Sequence, residues 1–332
     1  MSTAAAVILW VGATFYALFG GADFGGGFWD LIAGNAEKGE RPRGTIQRSL
    51  TPVWEANHVW LIFILVVLWT AFPQAFSAIF STLYVPLTLA VLGIVLRGSG
   101  FAFRSSVEGL QARRAAGAVF ALSSVITPFF MGAVVGAIAV GNVPAHGNGD
   151  AFSTWLAPAP LFIGVMFVAT SAYLAAVFLV GDARRGGDHE MERYFERRAL
   201  AAGVVAGIFA VVGLIALHSE GPYVYDRLIH EGLPLIIISA LCGIGMLLVL
   251  LLGGRLLLRP LAAGAVIAVI WGWFVAQFPY LLPTSLTISH GAAPDPTLVA
   301  IFIVFAIACI VVLPALAILL VLAQSDMLEH EH

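Results

Sequence analysis

Long apolar runs, broken at intervals by short clusters of charge, dominate the chain. Nine such runs can be marked, at residues 4–31, 53–72, 76–96, 115–141, 158–180, 198–218, 233–253, 260–281 and 297–322. Nearly all reach the ~20 residues that a helix needs to cross a hydrocarbon layer. The stretch 300–323, AIFIVFAIACIVVLPALAILLVLA, is apolar on every side, whereas a strand of a membrane barrel would alternate. In lipid the backbone polar groups must be satisfied within the segment, so the runs predict helices. The first is interrupted by the glycine-rich run from Gly20 to Gly27. Pro73, Pro144, Pro158, Pro160, Pro279 and Pro283 fall at or just beyond segment ends, where proline is tolerated. Pro86, Pro128 and Pro314 are expected inside helices, which a membrane bundle accommodates.

Composition agrees with that pattern. Of 332 residues, 60% are hydrophobic and 11% charged, with a mean hydropathy of +0.97. Soluble domains carry roughly a quarter charged residues, so the expected class is an all-α integral membrane protein, a single polytopic domain over residues 1–332. A net charge of −3 gives no reason to expect a nucleic-acid partner. Cys242 and Cys309 lie inside apolar runs, which argues against a disulfide framework. The first run opens without a positively charged region and contains an aspartate. It reads as a retained helix rather than a cleaved signal peptide.

The positions of lysine and arginine predict the orientation. The first connection holds Lys38, Arg41, Arg43 and Arg48, and the third Arg97, Arg104, Arg113 and Arg114. The fifth holds Arg184, Arg185, Arg193, Arg197 and Arg198, and the seventh Arg255 and Arg259. Arg227 is the single exception among 16 positive charges. Odd-numbered connections are therefore expected in the cytoplasm, the N-terminus outside, and the acidic tail DMLEHEH inside.

Ionisable side chains within such segments cost roughly 2.5–3.5 kcal/mol at the bilayer centre. Asp23 in GGADFGGGFWD and Glu55 with His58 in TPVWEANHVWLI are the clearest cases. Glu55 and His58 are spaced to share a helix face, with Trp54 and Asn57 on the same turn. One reading is a proton path entering from the cytoplasm through protonatable relay groups. The other places these carboxylates at headgroup depth, capping helices or pairing with Arg48 or Lys38, and Asp30 is assigned to that structural role. Gly21, Gly25 and Gly26 offer a small face against which another helix can pack. His58 is the single histidine clearly inside a run. His218, His146, His230 and His290 are expected on the outer side, and His189, His330 and His332 in the cytoplasm. Haem ligation by this chain alone, and a metal site in it, are therefore not expected. Tyr223, Tyr225 and Asp226 read as interfacial anchors and loop polarity.

Several of these motifs occur together in one family. GGADFGGGFWD, then TPVWEANHVWLI, then LWTAFP, followed by RGSGFAFRS, resemble subunit II of the cytochrome bd-type quinol oxidases, densely over roughly the first 105 residues. The resemblance implies nine transmembrane helices arranged as two four-helix bundles plus one peripheral helix. It implies a heterodimer with a homologous haem-binding subunit I carrying haem b and, in many members, haem d, and in some complexes a small single-helix accessory subunit. Quinol would be oxidised on the outer side and oxygen reduced to water with cytoplasmic protons, electrogenically and without pumping. Asp23 matches the family's first-helix aspartate and Glu55 the acidic residue of its second-helix motif, placed on a proposed proton route. Family members often read G-F-D-x-G around the position of Asp23, aspartate at Glu55, and glutamine at His58. The competing expectation is a stand-alone secondary transporter using Asp23 and Glu55 as ion-coupling groups. It would require broken helices in both halves of the chain, and the glycine run has no counterpart later on.

Overall fold

A computed structural model describes residues 1–324 except 36, 37, 51–53, 107, 108 and 255. At 54–56, 104–106, 110, 313, 316 and 319–324 it describes the backbone alone. The acidic tail and its histidines lie outside the described residues.

The first span is one continuous 30-residue helix, built from α1 (Ser2–Phe15), a single π-helical turn (Tyr16–Gly20) and α2 (Gly21–Leu31). The glycine run does not break it. Its residues keep helical hydrogen bonding, because an unsatisfied backbone group in lipid costs more than the conformational freedom glycine gives up. A helix of that length is about 45 Å, longer than the ~30 Å hydrocarbon layer, so its end projects into the interface. There α3 (Glu40–Leu50) follows as an amphipathic helix, burying Pro42, Thr45, Ile46 and Leu50 and turning its charged residues outward.

The second and third spans differ from the sequence expectation. α4 (Trp54–Ala71) ends at Phe72, and Pro73 starts α5 (Pro73–Thr82) at an angle of 116° to it. α6 (Tyr84–Ser106) then runs back. The third span therefore sits at 84–106 rather than 76–96, and Pro86 occupies its first turn, where a missing N–H breaks no hydrogen bond. The shift has a second consequence: Arg97 moves from the expected loop to the inside of a helix, 1% exposed. α7 (Leu110–Ala139) carries Pro128 in its interior.

α8 (Pro158–Arg185) and α9 (His189–Glu220) are joined by Gly186–Asp188, so the charges Arg184, Arg185, Arg193 and Arg197 sit on helix extensions rather than in a loop. A short α10 (Pro222–His230) leads to α11 (Leu233–Leu251) and α12 (Leu258–Gln277). The chain after α12 leaves the helix at Phe278, forms a small antiparallel hairpin, β1 (Tyr280–Leu282) with β2 (Leu286–Thr287), and continues through α13 (Ile288–Gly291) to α14 (Asp295–Gln324). Among the described residues eight helices are long and apolar enough to cross a membrane, and the bent α4–α5 pair makes a ninth. The protein is a multi-pass, predominantly helical membrane protein.

α8 is the most buried span and packs against α2, α7 and α9, while α11 pairs with α12 and α14 touches α4 and α1 at the periphery. Small residues set these approaches. A Cβ at Gly25 would lie 1.9 Å from the Ser171 carbonyl oxygen, one at Gly132 2.8 Å from the Gly164 backbone, and one at Gly136 2.6 Å from Pro160. Gly26 accommodates the Leu50 side chain instead, and Gly21 has ordinary van der Waals room. Trp29 locks the α2–α8 contact by donating from Nε1 to the Ala172 carbonyl at 2.8 Å.

Candidate functional site

The α2, α6 and α7 helices enclose a charged pair in an otherwise apolar interior. Asp23 and Arg97 are each 1% exposed. The Arg97 Nη2 group donates to Asp23 Oδ1 at 2.8 Å and to the Asp23 main-chain oxygen at 3.1 Å. Its Nε donates to Ser124 Oγ at 2.9 Å, and Ser124 in turn donates to the Phe120 carbonyl at 2.6 Å. The rings of Phe24 and Phe120 flank the guanidinium, with centroids 5.2 and 4.8 Å from Cζ. A planar, delocalised cation suits this sandwich, because it can stack on aromatic faces while its edge N–H groups bond in the plane.

Glycines make the geometry possible. A Cβ at Gly27 would meet Ser124 Oγ at 2.1 Å, and one at Gly93 would meet Thr127 Oγ1 at 2.3 Å. A Cβ at Gly100 would stand 2.8 Å from the Phe120 main-chain nitrogen, so glycine there lets α6 pack closely on α7. The hydroxyls of Ser123, Ser124 and Thr127 all bond back to carbonyls of their own helix, and Ser124 is the one that also accepts from the arginine.

The second carboxylate oxygen of Asp23, Oδ2, is buried and has no hydrogen-bond partner among the described residues. His58 is near enough to act on Asp23 electrostatically, and its ring centre lies 6.4 Å from that of Phe24. Tyr16, on the π-helical turn, meets Phe24 edge-on at 6.5 Å, and its hydroxyl reaches Met131 Sδ at 3.8 Å. Asn57 is buried on the same α4 turn. Glu55 falls in the first turn of α4, and its side chain lies outside the described residues.

Sequence reasoning paired Asp23 with Arg48 or Lys38 as its structural alternative; the partner is Arg97. It counted Arg97 as a loop charge and did not place it at the site. The available signal was RGSG at the end of the third span: an arginine beside small residues, at the depth where the Asp23 carboxylate needs a counter-charge. Asp30 takes the structural role expected of it, but with Arg43, whose Nε lies 3.7 Å from Oδ1. Arg43 also donates to the carbonyls of Gly34 and Asn35 at 2.7 and 3.1 Å, closing the C-terminal end of α2.

At the neighbouring surface Arg41 of α3 pairs with Asp188 at 3.1 Å and with Glu190. Asp188 accepts from the Met191 N–H and caps α9. That backbone bond, with Arg41 beside it, holds the Asp188 carboxyl below the usual carboxylate range. On the opposite face the Ser153 and Phe152 N–H groups do the same to Asp150.

A cavity of about 350 Å³ is lined by Val125, Ile126, Phe129, Phe130, Val165 and Val168, none of which can ligate iron. No cluster of three His, Cys, Asp or Glu side chains that could hold a metal occurs among the described residues.

Comparison with known proteins gives a consistent match. The model of the family described as cytochrome bd terminal oxidase subunit II matches residues 1–323. A Bacillus subtilis protein described as a candidate cytochrome bd menaquinol oxidase subunit II is 24% identical over 321 residues, spanning 92% of this chain and 91% of that protein. The cytochrome bd-I ubiquinol oxidase subunit 2 of Escherichia coli is 28% identical over 218 residues, spanning 63% of this chain and 55% of its own length. In fold, the chain is similar to the bd oxidase of Geobacillus thermodenitrificans, with a TM-score of 0.77 and 23% identity, covering 96% of this chain and 97% of that one. These matches give no support to the stand-alone transporter.

Proposed function

This chain belongs to the cytochrome bd terminal oxidase subunit II family, and from that premise we propose which of its residues serve proton delivery. The protein is subunit II of a bd-type quinol oxidase, an oxidoreductase complex that contains haem and a subunit I partner. The finer reading is that iron ligation and quinol oxidation belong to the partner, which carries haem b with or without haem d. This chain supplies part of the path by which cytoplasmic protons reach the oxygen-reducing centre. Its arginine-rich face is cytoplasmic, the N-terminus lies outside and the C-terminus inside, in the cell membrane.

The observation that carries the reading is the buried Asp23–Arg97 pair beside His58. Arg97 balances the Asp23 charge and takes up Oδ1, leaving Oδ2 as an acceptor with no protein partner among the described residues. Such an oxygen can accept a hydrogen bond from a water, and a proton stepping from His58 can reach the pair through it. Protonating Asp23 itself would leave the Arg97 charge buried without its partner, which costs on the order of 3–5 kcal/mol. Asp23 is therefore assigned the role of fixed counter-charge and water anchor. Glu55, at the mouth of α4, and His58 are assigned the proton transfers.

The test is Glu55→Gln in the purified two-subunit complex. The expected result is a loss of oxygen consumption with quinol, while the reduced-minus-oxidised haem spectrum and subunit stoichiometry stay those of the wild type. Full activity in that variant removes Glu55 from the path.

A further inference from the structure

We propose that the C-terminal end of α8 and the N-terminal end of α12, together with the connection from α11, bind a phosphate group supplied by the headgroup of an anionic membrane phospholipid. A cavity of about 80 Å³ lies there, lined by Val177, Gly181, Arg184, Leu256, Leu258 and Arg259 among others. It is larger than one water requires and far smaller than a cofactor pocket.

Its donors are built in. The Arg259 side chain lies along α8, where Nη2 donates to the Phe178 carbonyl and to Asp182 Oδ1, both at 2.6 Å. It can lie so close because residue 181 is glycine: a Cβ there would stand 2.7 Å from Arg259 Nε and Nη2. The Nε of Arg259 is closed off from solvent and has no acceptor among the described residues. Arg184, also lining the cavity, is exposed, and its side chain makes no hydrogen bond or ion pair among the described residues. The nearby carboxylate, Asp182, is already shared between Arg185 and Arg259. The exposed Arg184 guanidinium and the part-exposed guanidinium of Arg259 thus line one small cavity, an arrangement that matches a phosphate in charge.

The surroundings identify the carrier of that phosphate. Leu251, Leu252, Leu256 and Leu257, on the turn between α11 and α12, are 66%, 84%, 92% and 55% exposed. An apolar skirt beside a basic pocket at a membrane boundary suits acyl chains below a charged headgroup; a dissolved phosphate would have no use for it. The site shares no residue with Asp23, Glu55 or His58 and is independent of their role in proton transfer.

The experiment is native mass spectrometry of the intact complex in mild detergent, titrated with phosphatidylglycerol or with phosphatidylcholine. One phosphatidylglycerol should bind with preference over phosphatidylcholine. Arg184→Gln should lower its occupancy about fivefold, as expected for one surface arginine, and Arg184→Lys should largely keep it. Arg227→Gln, at the opposite membrane face, should change nothing. Displacement of the lipid by inorganic phosphate at equal concentration would assign the site to free phosphate and overturn the lipid source. Equal binding of both lipids, or unchanged occupancy in Arg184→Gln, would overturn the site. Should the variant fail to assemble, the comparison of the two lipids on the wild-type complex still decides.

Discussion

Arg97 on α6 grips Asp23 on α2 twice, through the carboxylate and through the main-chain oxygen of the same residue. The double contact ties the side-chain charge of one span to the backbone of another, so the pair fixes helix position as well as charge balance. Either partner alone would be an uncompensated charge in the membrane interior. Arg97→Gln and Asp23→Asn are each expected to cost on the order of 3–5 kcal/mol and to reduce the yield of assembled complex sharply. The double variant should recover part of that loss, because it removes both charges. Thermal unfolding and recovery of the two-subunit complex after solubilisation would measure this. Two single variants that are as stable as the wild type would show that the pair does not hold the spans.

The glycines of the first span are not equivalent, and a substitution series separates them. At Gly25 a methyl group would run into the Ser171 carbonyl and at Gly27 into the Ser124 hydroxyl, whereas at Gly21 it meets ordinary contact distances. Alanine at 25 must push α2 from α8, and overpacking of this kind costs about 1–3 kcal/mol or more. Alanine at 27 displaces Ser124 and with it the Nε bond of Arg97. Alanine at 21 should be neutral or slightly stabilising, since glycine in a helix gives up ~0.5–1 kcal/mol relative to alanine. The expected order of complex stability is Gly21→Ala above Gly27→Ala, with Gly25→Ala lowest. Equal effects at 21 and 25 would contradict the packing described.

The membrane class was legible because apolar runs and the scarcity of charge leave no other solvent for this chain. The register of the third span was not. Residues 71–90, AFPQAFSAIFSTLYVPLTLA, are apolar across both α5 and the start of α6, so hydropathy cannot mark the bend at Pro73. With that bend hidden, Arg97 counts as a loop residue, and the RGSG signal at the end of the third span is not enough by itself to make it the partner of Asp23. Asp23 itself was legible, since a carboxylate inside an apolar run needs a reason wherever the helix ends. The glycine run suggested a break because sequence alone does not show what a glycine is close to. Here it is close to other helices.

At the surface, Asp188 links the cap of α9 to Arg41 of α3. Its carboxyl is held below the usual range by the Met191 N–H first and Arg41 second. A depressed acid stabilises the fold above the pKa of the unfolded chain, about 3.9, and the contribution is lost as pH falls through the lower folded value. The junction should therefore be insensitive to pH between neutrality and about pH 5 and weaken only below that. Asp188→Ala should loosen it at all pH values, while Asp188→Asn, which keeps a capping oxygen, should lose the ion pair alone. Limited proteolysis across residues 38–41 at neutral pH would rank the three proteins. Identical cleavage rates would remove Asp188 from the junction.

The division of labour between Asp23 and Glu55 gives the sharpest test of the proton path. A relay group must exchange its proton during turnover, whereas a fixed counter-charge need only keep its partner balanced. If Asp23 is the latter, deleting the whole pair in Asp23→Asn with Arg97→Gln leaves the interior neutral and the transferring groups in place. Such a complex, once assembled, should keep the wild-type pH profile of quinol oxidation, with a rate reduced by the loss of the water anchored at Oδ2. Glu55→Gln should instead lower turnover at every pH where the carboxylate would carry protons, with the haem spectrum unchanged. The measurement is oxygen consumption from pH 5.5 to 9. A double variant whose profile collapses like that of Glu55→Gln would make Asp23 a relay and would transfer the proton-carrying role to the buried pair.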